Sequence, residues 1–426
     1  MSPGDRRGGR ARAAWYLYDV ADSAFVTTIV AAVLPAYFAS EVCPPGPVTL
    51  ALGPWSITSS ATALWGYAAG LAAALIALAA PVLGALADAT GRRKAFLAGF
   101  AAVGICASSL LSLSGPGTVL LTLGLLVAGE IGFAGAQVFY NSLLIGVSGS
   151  GDRDSVSAGG FAWGYLGGGL LLALNVLMIT KPSLFGFEGA SQASRACFLT
   201  VAAWWALFSI PLFVFVPEEK PGAGSGRSPW RALAATFRDI LTRRDLGFFL
   251  LAFILYNDGV QTVIMMATVF GKAELGLSTA DLVMALLVTQ IVGFPGSLLY
   301  GRAARRFGAK NAILTGIAAY VGIVLWASRM QTATEFTILA ALVGIFQGGL
   351  QAVSRSFFSR LVPEGREAEY FGFFSVSTRF ASIFGPLLFA IVRDTTGSAR
   401  SSILATGVLF LAGAAFLLPV GRRSGR

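Results

Sequence analysis

GALADATGRRK, residues 84–94, is the stretch on which the fold turns, because the chain writes it twice. The second copy is GRAARRFGAKN at 301–311, with Gly84 and Gly91 falling on Gly301 and Gly308. Each copy follows an apolar run that contains a proline, Pro81 or Pro295. In each, the first glycine lets two helices approach closely, and the second turns the chain. Basic residues then mark one side of a membrane: Arg92, Arg93 and Lys94 in one copy, Arg302, Arg305, Arg306 and Lys310 in the other. Outward from the two copies, LYD (17–19) parallels LYND (255–258), and Gln137 with its following span parallels Gln351 with its own. The repeat predicts two like-oriented halves.

The hydropathy profile supplies the spans. Apolar windows fall near 15–39, 60–87, 95–114, 117–146, 157–180 and 196–216, then near 246–270, 278–301, 311–328, 334–361, 372–392 and 401–420. The expectation is an all-α integral membrane protein of twelve transmembrane helices, with one six-helix bundle over 1–216 and another over 246–426. Between them, 217–245 is the one long polar connection. It opens on PEEKPGAGSGRSP, a turn-rich linker. It continues as WRALAATFRDILTRR, whose Trp230, Leu233, Phe237, Ile240 and Leu241 share a helical face. That face suits a helix lying on the membrane or packed on the protein's own surface. With the N-terminus inside, 23 of the 31 basic residues fall on the cytoplasmic side, six outside and two (Arg355, Arg379) within spans. Both termini and the linker are therefore expected in the cytoplasm and the chain in the cell membrane, touching lipid throughout.

Composition closes other classes. Of 426 residues 55% are hydrophobic and 12% charged, with mean hydropathy +0.73. Histidine is absent, which removes a Ser-His-Asp triad, an imidazole metal site and a histidine proton shuttle. Cys43, Cys106 and Cys197 are too dispersed for a zinc site or disulfide framework. No Walker A sequence occurs, so ATP is not the driver. The net charge of +10 follows from membrane topology rather than nucleic-acid binding. No cofactor or metal is expected, the chain is not read as an enzyme, and a monomer suffices.

Polar residues within the spans form a pattern. Span 1 carries Asp19 and Asp22; span 4 carries Glu130, Gln137 and Asn141; span 5 carries Asn175. Span 7 carries Asn257, Asp258 and Gln261; span 8 carries Gln290; span 10 carries Gln347, Gln351 and Arg355; span 11 carries Arg379. Spans 3, 6, 9 and 12 carry none, so these are expected to face lipid while the others surround a polar cavity. At 1.5 Å per residue, Glu130 lies about 20 Å from the outer end of its span and Asp258 about 18 Å from the inner end of its own. An unpaired charge there costs at least about 2.5–3.5 kcal/mol, which a carboxylate meets by taking up a proton. Glu130, Asp258, Asp22 and Asp19 are thus the proton-coupling candidates. Competing readings stay open: a helix N-terminus for Asp19 and Asp22, an arginine pair for Glu130, and a local helix break at Asn257 for Asp258. Arg379 either binds a substrate carboxylate or neutralises a buried acid, and with it the substrate candidates are Tyr18, Tyr256, Asn257, Gln261, Gln137, Asn141, Gln347 and Gln351. Arg355, near a span end, is expected to reach for the headgroups. Gly160, Gly164 and Gly168 make a packing face on span 5. Pro81, Pro295 and Pro386 should bend spans 2, 8 and 11.

The 84–94 stretch resembles the loop signature of major facilitator transporters, G-x-L-x-D-[RK]-x-G-[RK]-[RK], departing at Ala89 where that family prefers a basic residue. By that resemblance Gly84, Asp88, Gly91, Arg92 and Arg93 form a cytoplasmic gate, with Asp88 holding helix ends and arginines of the opposite half. The second copy has Arg305 in place of the Asp. WYLYDVADSAF (15–25), FYNSLL (139–144), LYNDGVQT (255–262), GREAEYFGFF (365–374), PLLF (386–389) and TTGSAR (395–400) look like the vacuole effluxer family, whose eukaryotic members are autophagy-related and export amino acids. Asp22 stands where relatives carry Asn. The resemblance implies a major facilitator fold and a proton-coupled, alternating-access exporter of a small polar solute, an amino acid first. Drug or metabolite efflux, a membrane-embedded transferase and a non-transporting receptor or scaffold are the alternatives.

Overall fold

A computed structural model describes residues 3–52, 55–149, 151–218, 229–381 and 384–421. Twelve helices among them are long and apolar enough to cross a membrane: Gly8–Val42, Ala61–Thr90, Arg93–Leu113, Val119–Ser142, Arg153–Thr180, Ala190–Phe215, Arg244–Lys272, Ala280–Phe307, Ala309–Ala327, Ala333–Leu361, Glu367–Thr396 and Ala399–Leu417, here spans 1 to 12. The linker helix, Pro229–Thr242, precedes span 7 with Arg243 alone between them. Most of PEEKPGAGSGRSP, and the Trp230 side chain, lie outside the described residues.

Several elements depart from the simple pattern. Span 1 helix starts at Pro3, well before the apolar run, and passes into π-helical turns at Phe25–Val33 and Phe38–Val42. Asp19 and Asp22 therefore sit deep in their helix, and the helix-end explanation for them falls. Between spans 1 and 2 an antiparallel hairpin pairs β1 (Val48–Leu52) with β2 (Trp55–Ser59), Val48 opposite Ser59. Span 7 helix is continuous from Arg244 to Leu275, so Asn257 breaks nothing. The interruption lies in span 11, whose first piece, 11a, ends at Phe380 and whose second, 11b, starts at Phe384. Pro386 is the third described residue of 11b. Pro81 and Pro295 lie inside continuous helices.

The chain forms two compact units. Unit 1 is Met1–Ala79, Arg93–Tyr140 and Trp163–Glu218; unit 2 is Ala80–Arg92, Asn141–Ala162 and Glu219–Arg426. In unit 1, span 5 lies on span 1 across the expected glycine face: a Cβ on Gly164 would meet Ser23, and one on Gly168 would meet Thr27. Lys94 donates to the carbonyls of Phe213 (2.8 Å) and Val216 (2.6 Å), closing the end of span 6. In unit 2, Lys310 does the same for span 12, donating to Leu418 and Val420 at 2.6 Å each. A lysine at a helix C-terminus answers the unpaired carbonyls and the negative end of the dipole. The two lysines stand one position apart when the copies are aligned, Lys310 falling on Arg93, yet they make the same kind of contact.

Cover by protein is greatest over spans 1, 4, 7 and 10. Spans 8 and 11 are less covered than spans 3, 6, 9 and 12, so cover by protein does not by itself separate lipid-facing helices from those expected to line a polar cavity. A helix flank facing water and one facing lipid are equally bare of protein, so apolar composition does not rank exposure.

Candidate functional site

The 84–94 stretch builds one cluster within unit 2. Asp88 lies in the last turn of span 2, where a carboxylate opposes the negative end of its own helix dipole. It is held there by another helix: its Oδ1 and Oδ2 accept the backbone N–H groups of Ala368 (3.2 Å) and Glu369 (2.8 Å) at the start of 11a. The approach is possible because position 84 is glycine; a Cβ there would collide with the Ala368 carbonyl. Gly91 turns the chain at φ 65°, as the sequence reading requires. Arg93 is buried and Arg92 exposed.

GREAEYFGFF surrounds the same spot. Glu369 accepts the Thr236 hydroxyl of the linker helix and both Arg366 Nε and Nη2 at 3.1 Å. Arg366 also donates to Thr236, and the Tyr370 hydroxyl donates to Asp239. Glu369 thus contributes its N–H to Asp88 and its carboxylate to the linker helix. The linker helix packs on the protein through Thr236 and Asp239, while Leu233 and Ile240 are half-buried and Phe237 and Leu241 remain exposed.

A second cluster ties the start of span 5 to the end of span 10. Arg355 does not reach outward: it is only 3% exposed, with Nε on the Ser157 hydroxyl (2.9 Å), Nη2 on the Ser157 carbonyl (2.9 Å) and Nη1 on Asn141 Oδ1 (2.8 Å). Its guanidinium also lies 4.5 Å from the Phe161 ring centroid. Enough acceptors and an aromatic face are at hand to replace water, which removes the reason to snorkel. Beside it, Asp154 accepts Arg360 Nη2 at 2.6 Å and the Ser356 hydroxyl. Gly301 brings span 8 against the same stretch of span 5, since a Cβ there would strike Ala158. Asn141 is therefore spent on Arg355. Asp154, Ser157, Arg360, Thr236, Asp239, Arg366, Glu369 and Tyr370 were not among the sequence candidates; only the GREAEYFGFF stretch had drawn attention to some of them.

The membrane-embedded candidates fall into two places. In unit 1, Gln137 Nε2 donates to Asp22 Oδ2 (2.6 Å) and the Tyr140 hydroxyl donates to Asp19 Oδ2 (2.5 Å). Tyr140 stacks on Trp15 and Tyr18, with centroids 4.6 Å and 5.0 Å away. Spans 1 and 4 thus bring Asp19, Asp22, Tyr18 and Gln137 together, and Glu130 lies half-buried two turns before Gln137. Asn175 is elsewhere, accepting the Thr200 hydroxyl at 2.8 Å between spans 5 and 6. In unit 2, Asp258 is fully buried, and its Oδ2 accepts the Gly385 N–H (2.9 Å) in the first turn of 11b. Its Oδ1 and the adjacent Asn257 Nδ2 have no hydrogen-bond partner among the described residues. The Tyr256 hydroxyl is engaged by Ser354 at 2.6 Å. Gln261, Gln347, Gln351 and Arg379 are half-buried, with Arg379 in the last turn of 11a.

Comparison with known proteins agrees with this architecture. The family model described as "Vacuole effluxer Atg22 like" matches residues 8–145 and 148–426. The MFS-type transporter YxiO of Bacillus subtilis (strain 168) is 35% identical over 408 residues, 95% of this chain and 93% of that protein. Autophagy-related protein 22 of Yarrowia lipolytica is 27% identical over 305 residues, 64% of this chain; the chain spans about half (51%) of that fungal relative. The crystal structure of the human organic anion transporter MFSD10 superposes with a TM-score of 0.72 at 16% identity, over 98% of this chain and 100% of that one, a likeness of fold.

Proposed function

The chain belongs to the vacuole effluxer Atg22-like family of major facilitator-type transporters, and from that premise we propose that it exports amino acids by proton-coupled alternating access. It is a multi-pass membrane transporter rather than an enzyme. In this reading both termini are cytoplasmic and the protein resides in the cell membrane, as the distribution of basic residues indicates. The Asp88 cluster is the gate on the cytoplasmic side, which must part for solute to enter.

The observation that carries proton coupling is Asp258. A fully buried carboxylate that accepts the Gly385 N–H and keeps one oxygen with no hydrogen-bond partner among the described residues pays a high cost for its charge in hydrocarbon, a cost that a proton removes. Water reaching it would release that proton, which is the alternation that coupling needs. Glu130, half-buried and without a helix end beside it, is the second carrier. Asp22 and Asp19 are bonded to Gln137 and Tyr140, and Gln137 also suits a polar group of the solute. Arg379 suits a carboxylate group. The outward direction rests on the family description, and the amino-acid cargo on the resemblance to the vacuole effluxers and on the suitability of Arg379 for a carboxylate.

The test is a panel of labelled amino acids, sugars and lipophilic cations in proteoliposomes, with and without a pH gradient. Amino acids alone should accumulate under the gradient. Glu130→Gln should abolish gradient-driven accumulation and retain exchange. Accumulation by both Glu130→Gln and Asp258→Asn would refute proton coupling, and exchange of some other solute class in place of amino acids would refute the cargo.

A further inference from the structure

The linker helix has two working sides. One side is polar and is bonded to the gate: Thr236 to Glu369 and Arg366, Asp239 to Tyr370. The edge away from it is apolar and bare, with Phe237 57% and Leu241 71% exposed. Arg231 and Arg238 flank that edge, and both are exposed. At 100° per residue Phe237 and Leu241 lie within about 40° of one another, and the two arginines follow about 60–80° further round.

The helix is also fixed in depth. Arg243 alone separates it from span 7, and a Cβ on Gly247 would press on the Ile240 carbonyl, so the corner between the two helices is tight. The bare edge is therefore held at the end of a transmembrane helix, where hydrocarbon gives way to headgroups. Arginines beside an apolar strip at that depth complement anionic headgroups.

We propose that the linker helix binds anionic lipid through Phe237, Leu241, Arg231 and Arg238, and that this binding holds the Asp88 gate shut. The link is short. Glu369 spends its N–H on Asp88 and its carboxylate on Thr236, so seating the linker helix fixes the helix start that Asp88 grips. Losing the lipid frees the linker helix and loosens both bonds.

The experiment compares amide hydrogen exchange of the full chain in vesicles of phosphatidylcholine alone and of phosphatidylcholine with phosphatidylglycerol. Exchange over 229–242 and over 365–371 should both slow by about tenfold or more in the anionic vesicles. The double variant R231Q/R238Q, altered only at exposed positions, should melt as the wild type does in phosphatidylcholine and lose the lipid dependence. Equal exchange in the two vesicles, or lipid dependence that survives in the variant, overturns the proposal. So does slowing over 229–242 with no change over 365–371. Protection that rises with protein density in neutral vesicles would identify a second copy as the occupant instead. None of these readouts depends on the cargo.

Discussion

Replacing Asp88 by Asn removes one charge and keeps the shape, which isolates what the carboxylate does where span 2 meets 11a. Its two oxygens accept N–H groups at 3.2 Å and 2.8 Å, both from the first turn of 11a, where the helix dipole favours an anion. An asparagine keeps one acceptor and turns an NH2 donor toward the other N–H. The longer bond is then lost, and the shorter one falls from a charged to a neutral bond. Hydrogen bonds to charged groups contribute about 1.5–3 kcal/mol each, and neutral ones about 1, so the change costs about 3 kcal/mol. That is about a 150-fold rise in the open fraction of this contact. Amide exchange at Ala368 and Glu369, in the regime where reclosing outruns exchange, reads that fraction directly. Exchange should accelerate about 150-fold at these two amides, while the Lys94 contact to Phe213 and Val216 in unit 1 is untouched. Unchanged exchange at Ala368 and Glu369 in a folded Asp88→Asn protein would refute the reasoning.

Other expectations are as direct. Gly84→Val places carbon where the Ala368 carbonyl lies, so spin labels at the exposed positions 92 and 364, in a cysteine-free background, should move apart, as electron–electron resonance can measure. Arg355→Lys cannot make the three bonds to Ser157 and Asn141 from one ammonium group; a loss of about 3 kcal/mol should appear as a lower melting midpoint, with Arg360→Lys as a half-exposed comparison that changes it little. Asp258→Asn should lower the melting midpoint only modestly, about 1 kcal/mol, because an amide oxygen still accepts the Gly385 N–H.

What the sequence revealed and what it withheld follow from the range of each interaction. The spans were legible because hydrocarbon imposes a local rule on about 20 successive residues. Gly84, Asp88 and Gly91 were legible because a turn and a close approach fix residue types at short spacing. The destination of a long polar side chain follows no such rule. Arg355 was expected at the headgroups and instead lies under Ser157 and Asn141, about two hundred positions earlier in the chain, where no periodicity records it. The pairing of Thr236 with Glu369 is hidden for the same reason. Asp258 was suspected of marking a break in its own helix; the break is in span 11, and Asp258 caps the piece that follows it. The π-helical turns at 25–33 and the hairpin at 48–59 carried no signal in the hydropathy profile.

The two lysine clamps have a bearing on how such a chain is made. Lys94 fastens the end of span 6 to the start of span 3 using only groups synthesised before residue 217. That contact therefore needs nothing from the later part of the chain. Lys310 repeats the operation for the later ring once Leu418 and Val420 emerge. The polar ties around Asp88, Asp154 and Arg355, by contrast, join groups about two hundred or more positions apart and can form only once the later residues are made.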